Sequence, residues 1–396
     1  MRLPIVMSAI MMAIALLIDV YIYRALKRRF KSLLPARVYA VSACVFIAGL
    51  IVAFMLPRSS GNDDTLRAVM WILFTFISIY FSKLVFVIFD LIAAIPRLFR
   101  RERLRRVSQI GVALGVVTFL AMWWGAAINR YDYQVKNVEV KIDNLPDSFD
   151  GYKIAQISDL HVGTFGNDTT FVHDLVEAVN ALNPDMIVFT GDIVNRHTGE
   201  LPPHIAPLSR LHARDGVYAI LGNHDYGDYN YWPDKALKRK NLEDLHRLER
   251  GMGWNLLLNE TAWLHRAGDS VAVIGVENVG EPPFHTYGSL PAAYSTPSDP
   301  NVKILLSHNP SHWSRDIANV DTMNIALTLS GHTHAMQTEI LGLSPAAWKY
   351  KTWGGLYTDS LGRNLYVNIG AGTVGVPMRL GATPEITLFS LKKSLN

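Results

Sequence analysis

The first third of the chain is written in long apolar runs and the remainder in short ones. Runs over residues 3–23, 38–56, 68–95 and 107–128 follow one another with brief polar breaks. Each is close to or beyond the ~20 residues an α-helix needs to cross a bilayer core. Four such runs in succession are rare in a soluble domain, so residues 1–128 are predicted to form four transmembrane helices. The first run is followed by Arg24, Lys27, Arg28, Arg29 and Lys31 rather than by a small-residue cleavage site. It therefore reads as a retained helix and not as a signal peptide.

From residue 129 the pattern shortens. Residues 129–150 alternate between polar and apolar, with Val135, Val138, Val140 and Ile142 among the apolar positions, and end in turn-rich residues 146–151. This predicts a linker with an edge strand and a hairpin leading out of the membrane. Residues 151–396 then repeat one theme, in which a short β-rich run ends in a loop carrying histidine, aspartate or asparagine. Strands are predicted at 153–157, 186–189, 217–221, 256–258, 262–265, 271–274, 302–306, 325–329, 365–368 and 385–389. Helical periodicity covers 171–182 and 237–251. Alternating strands and helices with polar residues at the strand ends indicate an α/β layered domain, with its site at one end of the sheet.

Charge divides the chain in the same place. Residues 1–128 hold 16 Lys/Arg and 5 Asp/Glu, and the rest hold 22 and 29. An acidic domain is a poor partner for a polyphosphate backbone, which disfavours nucleic-acid binding. The single cysteine, Cys44, excludes an intrachain disulfide and a thiolate-rich metal site. The mean hydropathy of +0.15 fits a chain partly in lipid. Connections 24–37 and 97–106 are strongly basic, whereas 57–65 has one arginine and two aspartates. Short basic loops stay cytoplasmic, which puts the N-terminus and the large C-terminal part on the extracytoplasmic side of the cell (inner) membrane. Asp19 and Asp90 lie towards the cytoplasmic ends of their spans, where headgroup contact is expected. Lys83 lies deeper and is expected to face the bundle interior and pair with one of them.

The strand-end loops carry the candidate chemistry. Ser330-Gly331-His332-Thr333-His334 follows the run 325–329. Two imidazoles flanking one residue cannot share a helical face, but on a loop leaving a strand both can reach a metal. By spacing alone they look like joint ligands to one ion. Asp159 and His161 follow 153–157, Asp192 follows 186–189, Asn223, His224 and Asp225 follow 217–221, and His308 follows 302–306. Carboxylate, imidazole and amide oxygen without thiol suit Mn, Fe or Zn, and a carboxylate able to bridge suits a pair of metals. Two ions ~3.5–4 Å apart can clamp a phosphoryl group for in-line attack.

Together, Asp159-Leu-His161, Gly191-Asp192, Gly222-Asn223-His224-Asp225, His308 and Gly331-His332-Thr-His334 resemble the calcineurin-like metallophosphoesterase superfamily. The resemblance is closer to its bacterial membrane-anchored branch. It extends over about residues 150–391 and includes Pro377-Met-Arg379 and residues 384–388. It implies a β-sandwich flanked by helices and two divalent ions. One would be held by Asp159, His161, Asp192 and His334. The other would be held by Asp192, Asn223, His308 and His332, so that the two histidines of the last loop divide between the ions. His224 would stabilise charge on the phosphoryl group or protonate the leaving oxygen, oriented by Asp225. Arg196, and Asn223 in addition to its ligand role, would contact substrate.

The sequence departs from the pattern at Ala335 and Met336, where glycines are common, so a narrower or more apolar pocket rim is expected. In the protein-phosphatase branch the loop after the bridging aspartate carries Asp-Arg; here it is Asn195-Arg196, which puts a His–Asp pairing there in question. His312 is the remaining histidine expected nearest the site. Tyr226, Tyr229, Tyr231 and Trp232 are expected at the substrate entrance or in packing.

The implied activity is hydrolysis of a phosphate ester or pyrophosphate, envelope-borne or lipid-linked, by metal-bound hydroxide attack on phosphorus. The partners expected are that substrate and the membrane, with no nucleic acid and no protein partner indicated. Two rivals are a UDP-2,3-diacylglucosamine-type pyrophosphatase and a non-catalytic sensor or scaffold. Nucleotide-linked sugars are cytoplasmic, so topology discriminates. A reporter fused after Asn396 is expected to read as extracytoplasmic; a cytoplasmic reading would move the pyrophosphatase to first place.

Overall fold

The computed structural model describes residues 5–56, 63–282, 284–296 and 299–394. Helices α1 (Ile5–Arg29), α2 (Leu34–Met55), α3 (Asp63–Ala94) and α4 (Arg105–Ala127) account for the four apolar runs. All four are long and apolar enough to cross a membrane. In hydrocarbon every backbone N–H and C=O must be satisfied within the segment, which a helix does. Charges also mark the ends. Lys27, Arg28 and Arg29 close α1, and Asp63 and Asp64 open α3, each complementing the helix dipole. Residues 57–62 of the second connection lie outside the described residues.

Packing in this unit relies on small residues and on polar groups. Gly111 and Gly115 of α4 face α3 so closely that a methyl on Gly111 would meet the Phe89 side chain, and one on Gly115 the Ser82 carbonyl. Such small residues four apart let two helix backbones approach in lipid. Asp19 is buried, not at the headgroups as expected. Lys83 Nζ lies 2.8 Å from its Oδ1, and the hydroxyls of Tyr39 and Tyr80 donate to it at 2.5 and 2.6 Å. The Lys83 ammonium also lies over the Tyr80 ring, 4.3 Å from its centre. Asp90 is buried likewise, bonded to Tyr21 at 2.6 Å and to Arg103 and Ser108. The headgroup expectation fails because each carboxylate has enough donors on neighbouring helices to remain inside.

The second compact unit begins at Ile128. Its strands, in chain order, are β1 (Gln134–Ile142), β2 (Lys153–Ile157), β3 (Met186–Phe189), β4 (Val217–Ala219), β5 (Asn255–Leu256) and β6 (Glu260–Arg266). They continue with β7 (Asp269–Gly275), β8 (Val302–Leu306), β9 (Leu327–Ser330), β10 (Gly355–Thr358), β11 (Asn364–Val367) and β12 (Glu385–Lys393). One six-stranded sheet runs β1-β12-β2-β3-β4-β5 and the other β10-β11-β9-β8-β7-β6. Ile154, Val188, Phe389, Val273, Ile304, Leu306 and Leu329 share one core cluster with residues from both sheets. Helix α5 (Thr170–Ala181) packs Val172, Leu175, Val176 and Val179 into a second cluster with Phe189 and Leu221, and helix α6 (Lys235–Gly251) adds Leu245. The fold is thus four apolar helices followed by an α/β domain with two mixed sheets.

The expected hairpin after residue 129 does not form. β1 is an edge strand, but it pairs in parallel with β12 from Gln134↔Glu385 to Ile142↔Lys393, and β12 separates it from β2. β12 is buried for most of its length, so it takes the interior place and leaves the half-exposed β1 at the edge. β2, β3 and β4 run parallel, as do β7, β8 and β9, so each group delivers its strand ends to one edge.

Replacing Lys83 by leucine would leave Asp19 without its cation in an apolar surround, which typically costs about 3–5 kcal/mol. Lys83→Leu is expected to lower the unfolding midpoint in detergent clearly, and Lys83→Leu with Asp19→Leu to recover much of the loss. An unchanged midpoint for the single variant would show the pair to be structurally idle.

Candidate dinuclear metal centre

Five loops leave the parallel strand ends and converge. β2 leads to Asp159 and His161, β3 to Asp192, β4 to Asn223 and His224, β8 to His308, and β9 to His332 and His334. The turns are sharp. Asp159, His161, Asp192, His332 and His334 all have φ between 48° and 76°, the left-handed region that side chains normally avoid. Strain of this kind persists where the surroundings over-determine it, and it clusters at functional sites. Ala335 and Met336 extend the run at φ 50° and 45°, so the positions where glycine is common are held in glycine's conformation by larger residues. Met336 is exposed. Elsewhere glycine is obligatory for space: a methyl on Gly222 would collide with the Asp192 carboxylate, and one on Gly331 with Ser158 and Asp159.

The side chains meet in two groups. Candidate ligand atoms of Asp159, His161 and His334 lie within 4.8 Å of one another, and so do those of Asp192, His308 and His332. Asp192 Oδ2 also lies 3.7 Å from His161 Nε2 and 3.2 Å from His308 Nε2, so it touches both groups. Asn223 turns its Oδ1 to His332 Nδ1 at 2.7 Å and to His308 Nε2 at 3.1 Å.

The donor set fits cations. His161 Nδ1 is 3.2 Å from the Val194 carbonyl, and His308 Nδ1 is 2.7 Å from that of Thr190. A carbonyl only accepts, so both outer nitrogens carry the protons, and in the neutral rings both Nε2 lone pairs point inward. His332 turns Nδ1 inward and sets Nε2 3.0 Å from the Tyr350 hydroxyl. Lone pairs facing carboxylate and amide oxygens at about 3 Å are poor company for one another and good ligands for a divalent ion. His334 differs. Its Nε2 approaches His161 Nε2 at 3.0 Å and Asp159 Oδ1 at 3.2 Å, but its Nδ1 faces the Arg379 guanidinium at 3.2 Å. Arginine only donates, so neutral His334 carries its proton on the inner nitrogen, and that proton must leave before a cation binds there. Fully buried Arg379 also donates to the carbonyls of Gly372, Ala382 and Ile369.

Burial disfavours charge on every member of the cluster. At His308 burial is the largest single influence and acts downward, but the Asp192 and Asp159 carboxylates and the Thr190 carbonyl together push the pKa up to about 10. At His332 burial and the adjacent His308 lower it to about 3. Burial also holds His161 and His224 below the ordinary imidazole value. Asp159 and Asp192 stay below the usual carboxylate range despite burial, because histidines face them.

His224 enters through its main chain and its ring. Its N–H donates to Asp192 Oδ1 at 2.8 Å, its Nδ1 donates to the Asn195 carbonyl at 2.6 Å, and its ring stacks on Tyr229. The Asn195 backbone therefore does the holding, and the identity of that side chain is immaterial to it. Asp225 does not orient His224, contrary to expectation. Its carboxylate turns the other way and accepts N–H bonds from Asp192, Ile193, Val194 and Gly222 at 2.7–3.2 Å. Burial and the nearby Asp192 push its pKa up to about 7, with the amide donors acting the other way. Arg196 sits 3.8 Å from Glu200 through its Nε. His312 is buried beside Ser307 at 2.9 Å, outside both groups. Tyr226 stacks on Tyr287 in the core, and Tyr231 is exposed. Tyr350 and Arg379 had no role in the sequence reading. Arg379 lies in the Pro-Met-Arg stretch of the resemblance, whereas Tyr350 has no local signal.

Asp225→Asn turns an amide NH₂ towards N–H donors and removes hydrogen bonds worth about 0.5–1.5 kcal/mol each. The variant is expected to lower the catalytic-unit unfolding midpoint by several degrees in a near-ultraviolet circular dichroism melt. An unchanged melt would contradict this anchoring role.

Two family descriptions match the chain: "Probable Calcineurin-like phosphoesterase, transmembrane domain" over residues 1–130 and "Calcineurin-like phosphoesterase" over residues 152–336. A Bos taurus transmembrane protein with metallophosphoesterase domain is 34% identical over 265 residues, 65% of this chain and 57% of that one. This chain thus spans less than two thirds of the bovine relative. The uncharacterized metallophosphoesterase YkuE of Bacillus subtilis is 32% identical over 269 residues, 64% of this chain and 84% of its own. An uncharacterized metallophosphoesterase of Campylobacter jejuni is 26% identical over 402 residues, 98% of each chain. With four membrane-length helices ahead of a domain whose strand ends gather these carboxylates and imidazoles, the chain belongs to the calcineurin-like metallophosphoesterases.

Proposed function

We propose that this protein is a multi-pass membrane phosphoesterase that hydrolyses a phosphate ester or pyrophosphate with the help of two divalent cations. The observation that carries the reading is the pair of ligand groups, Asp159/His161/His334 and Asp192/His308/His332, with Asp192 Oδ2 also 3.7 Å from His161 Nε2. Asp159, His161, Asp192 and His334 would hold one ion, and Asp192, Asn223, His308 and His332 the other. Bound there, the cations supply Lewis-acid activation of the phosphoryl group and of the attacking water.

The protein's own groups do the rest. The strained strand-end turns fix the carboxylates and rings before substrate arrives, so little reorganisation is needed. His224, held at Nδ1 by Asn195, keeps Nε2 for the substrate. In its protonated form it donates to a phosphoryl oxygen or passes that proton to the leaving oxygen. Tyr229 stacks on the ring and accepts from Asn223 Nδ2 at 2.9 Å, tying the two residues together. Arg196 enters substrate binding in this reading only by exchanging Glu200 for a phosphate oxygen.

The finer placement rests on sequence. The end-to-end match to the Campylobacter jejuni chain supports the bacterial membrane-anchored branch, and the basic connections 24–37 and 97–106 support an extracytoplasmic catalytic domain over residues 151–396. Membrane anchoring favours an envelope or lipid-linked substrate.

Detergent-solubilised protein is expected to contain two equivalents of Mn, Fe or Zn and to cleave a chromogenic phosphodiester, with chelation abolishing turnover. Asp192→Asn should lose both metal and activity. His224→Ala should retain metal while kcat falls by about 10²–10⁴. Equal turnover in both variants and the parent would sink the mechanism.

A further inference from the structure

Beyond the last metal-candidate loop the chain makes a small hairpin. Ile340 and Leu343 exchange both backbone hydrogen bonds, at 2.9 and 3.0 Å, across Leu341 at φ 53° and Gly342 at φ 78°. A two-residue turn with both central residues left-handed takes asparagine, aspartate or glycine at its first position. Leucine has no polar side chain to compensate for that backbone, and here its side chain is also 98% exposed. Ile340, Leu343 and Trp348 are exposed as well, Trp348 to 91%. Apolar side chains exposed singly need no explanation, but here four fall within nine residues of one another.

This stretch has the composition of a membrane-interface segment. Trp348 is followed by exposed Lys349 and Lys351, and tryptophan with flanking lysines suits the headgroup boundary. The hairpin is also firmly based. Glu339 N–H donates to the Leu380 carbonyl at 2.8 Å, Leu380 N–H to that of Gln337 at 2.9 Å, and Ser344 Oγ to that of Ala335 at 2.6 Å. Its far end returns to the cluster, since Tyr350 sets its hydroxyl 3.0 Å from His332 Nε2. The protein already carries four membrane-length helices, and residues 128–133 alone join α4 to β1, a tether of about 20 Å at full stretch.

We infer that the hairpin 340–343 and the helical turn 345–348 that follows it dock on the lipid surface. Leu341, Leu343 and Trp348 enter the boundary between headgroups and acyl chains, and Lys349 and Lys351 meet anionic headgroups. The docking stands on this geometry. That it brings a lipid-borne phosphoester to the cluster beside Tyr350 rests on the function proposed above.

The test uses the full chain with Cys44→Ser and a single cysteine at Leu341→Cys, or Trp348→Cys as a second position, carrying an environment-sensitive dye. The protein is reconstituted in phosphatidylcholine–phosphatidylglycerol vesicles with and without doxyl-labelled lipid. Dye at 341 and at 348 is expected to shift to the blue and to be quenched at least about twofold by doxyl lipid, while dye at Glu243→Cys on α6 is not. Quenching at 341 and 348 no greater than at 243 overturns the proposal. So does a blue shift without doxyl quenching, which, when accompanied by crosslinking between copies, assigns the stretch to a second chain. Leu341→Asp with Trp348→Asp should leave turnover of a soluble phosphodiester unchanged and reduce that of a vesicle-borne phospholipid at least about tenfold; equal rates on both would remove the delivery role. Absence of any turnover in the parent would count against the proposed enzyme, while the quenching result would still decide the docking.

Discussion

A single carboxylate sets the terms for the metallophosphoesterase domain. Asp192 receives the His224 N–H, lies near His161 and His308, and sits on left-handed backbone with its own N–H bonded to Asp225. For loops from two sheets to reach it, the strands must end at one edge, which their parallel runs achieve. The glycines beside it follow from the same crowding, because a methyl on Gly222 would occupy the carboxylate's place. Buried charge is tolerable only when closely partnered, so this cluster is the most demanding part of the fold and leaves its neighbours little freedom.

Much of this was legible in the chain. Three strands leading to site loops, at 153–157, 186–189 and 302–306, were readable to the residue, because a buried parallel strand is a short apolar run with a polar break at its end. The histidine and aspartate loops were legible for the same reason. Tertiary exchanges were not. Nothing local marks β12 as the strand that would separate β1 from β2, since register across a sheet is decided by distant partners. Asp225 was misread because adjacency to His224 suggested a side-chain pair. A left-handed turn at Asp192 instead exposed several amides, and the carboxylate went to them. Lys83 was read correctly as an interior partner. Asp19 and Asp90 were not, because sequence position does not reveal tyrosines waiting on adjacent helices.

Arg379 qualifies the symmetry of the centre. Three of the four candidate ligand rings have an acceptor or a hydroxyl at the outer nitrogen, whereas His334 meets a guanidinium. The first group therefore carries a nearby fixed positive charge of the protein's own, and the two positions are inequivalent in proton demand. Such inequivalence gives one fold a means of distinguishing two otherwise similar ions.

The pairing of β1 with β12 has a bearing on how the molecule is made. β1 emerges directly after the membrane helices, yet its partner spans Glu385 to Lys393 at the far end of the domain. Throughout synthesis that strand has an unfilled edge, and β2 also lacks its β12 neighbour. The sheet can close only once nearly all of the domain has been synthesised, so its closure must trail translation rather than accompany it. A nascent chain held open in this way, at a membrane and with a bare strand edge, is a natural client for a chaperone.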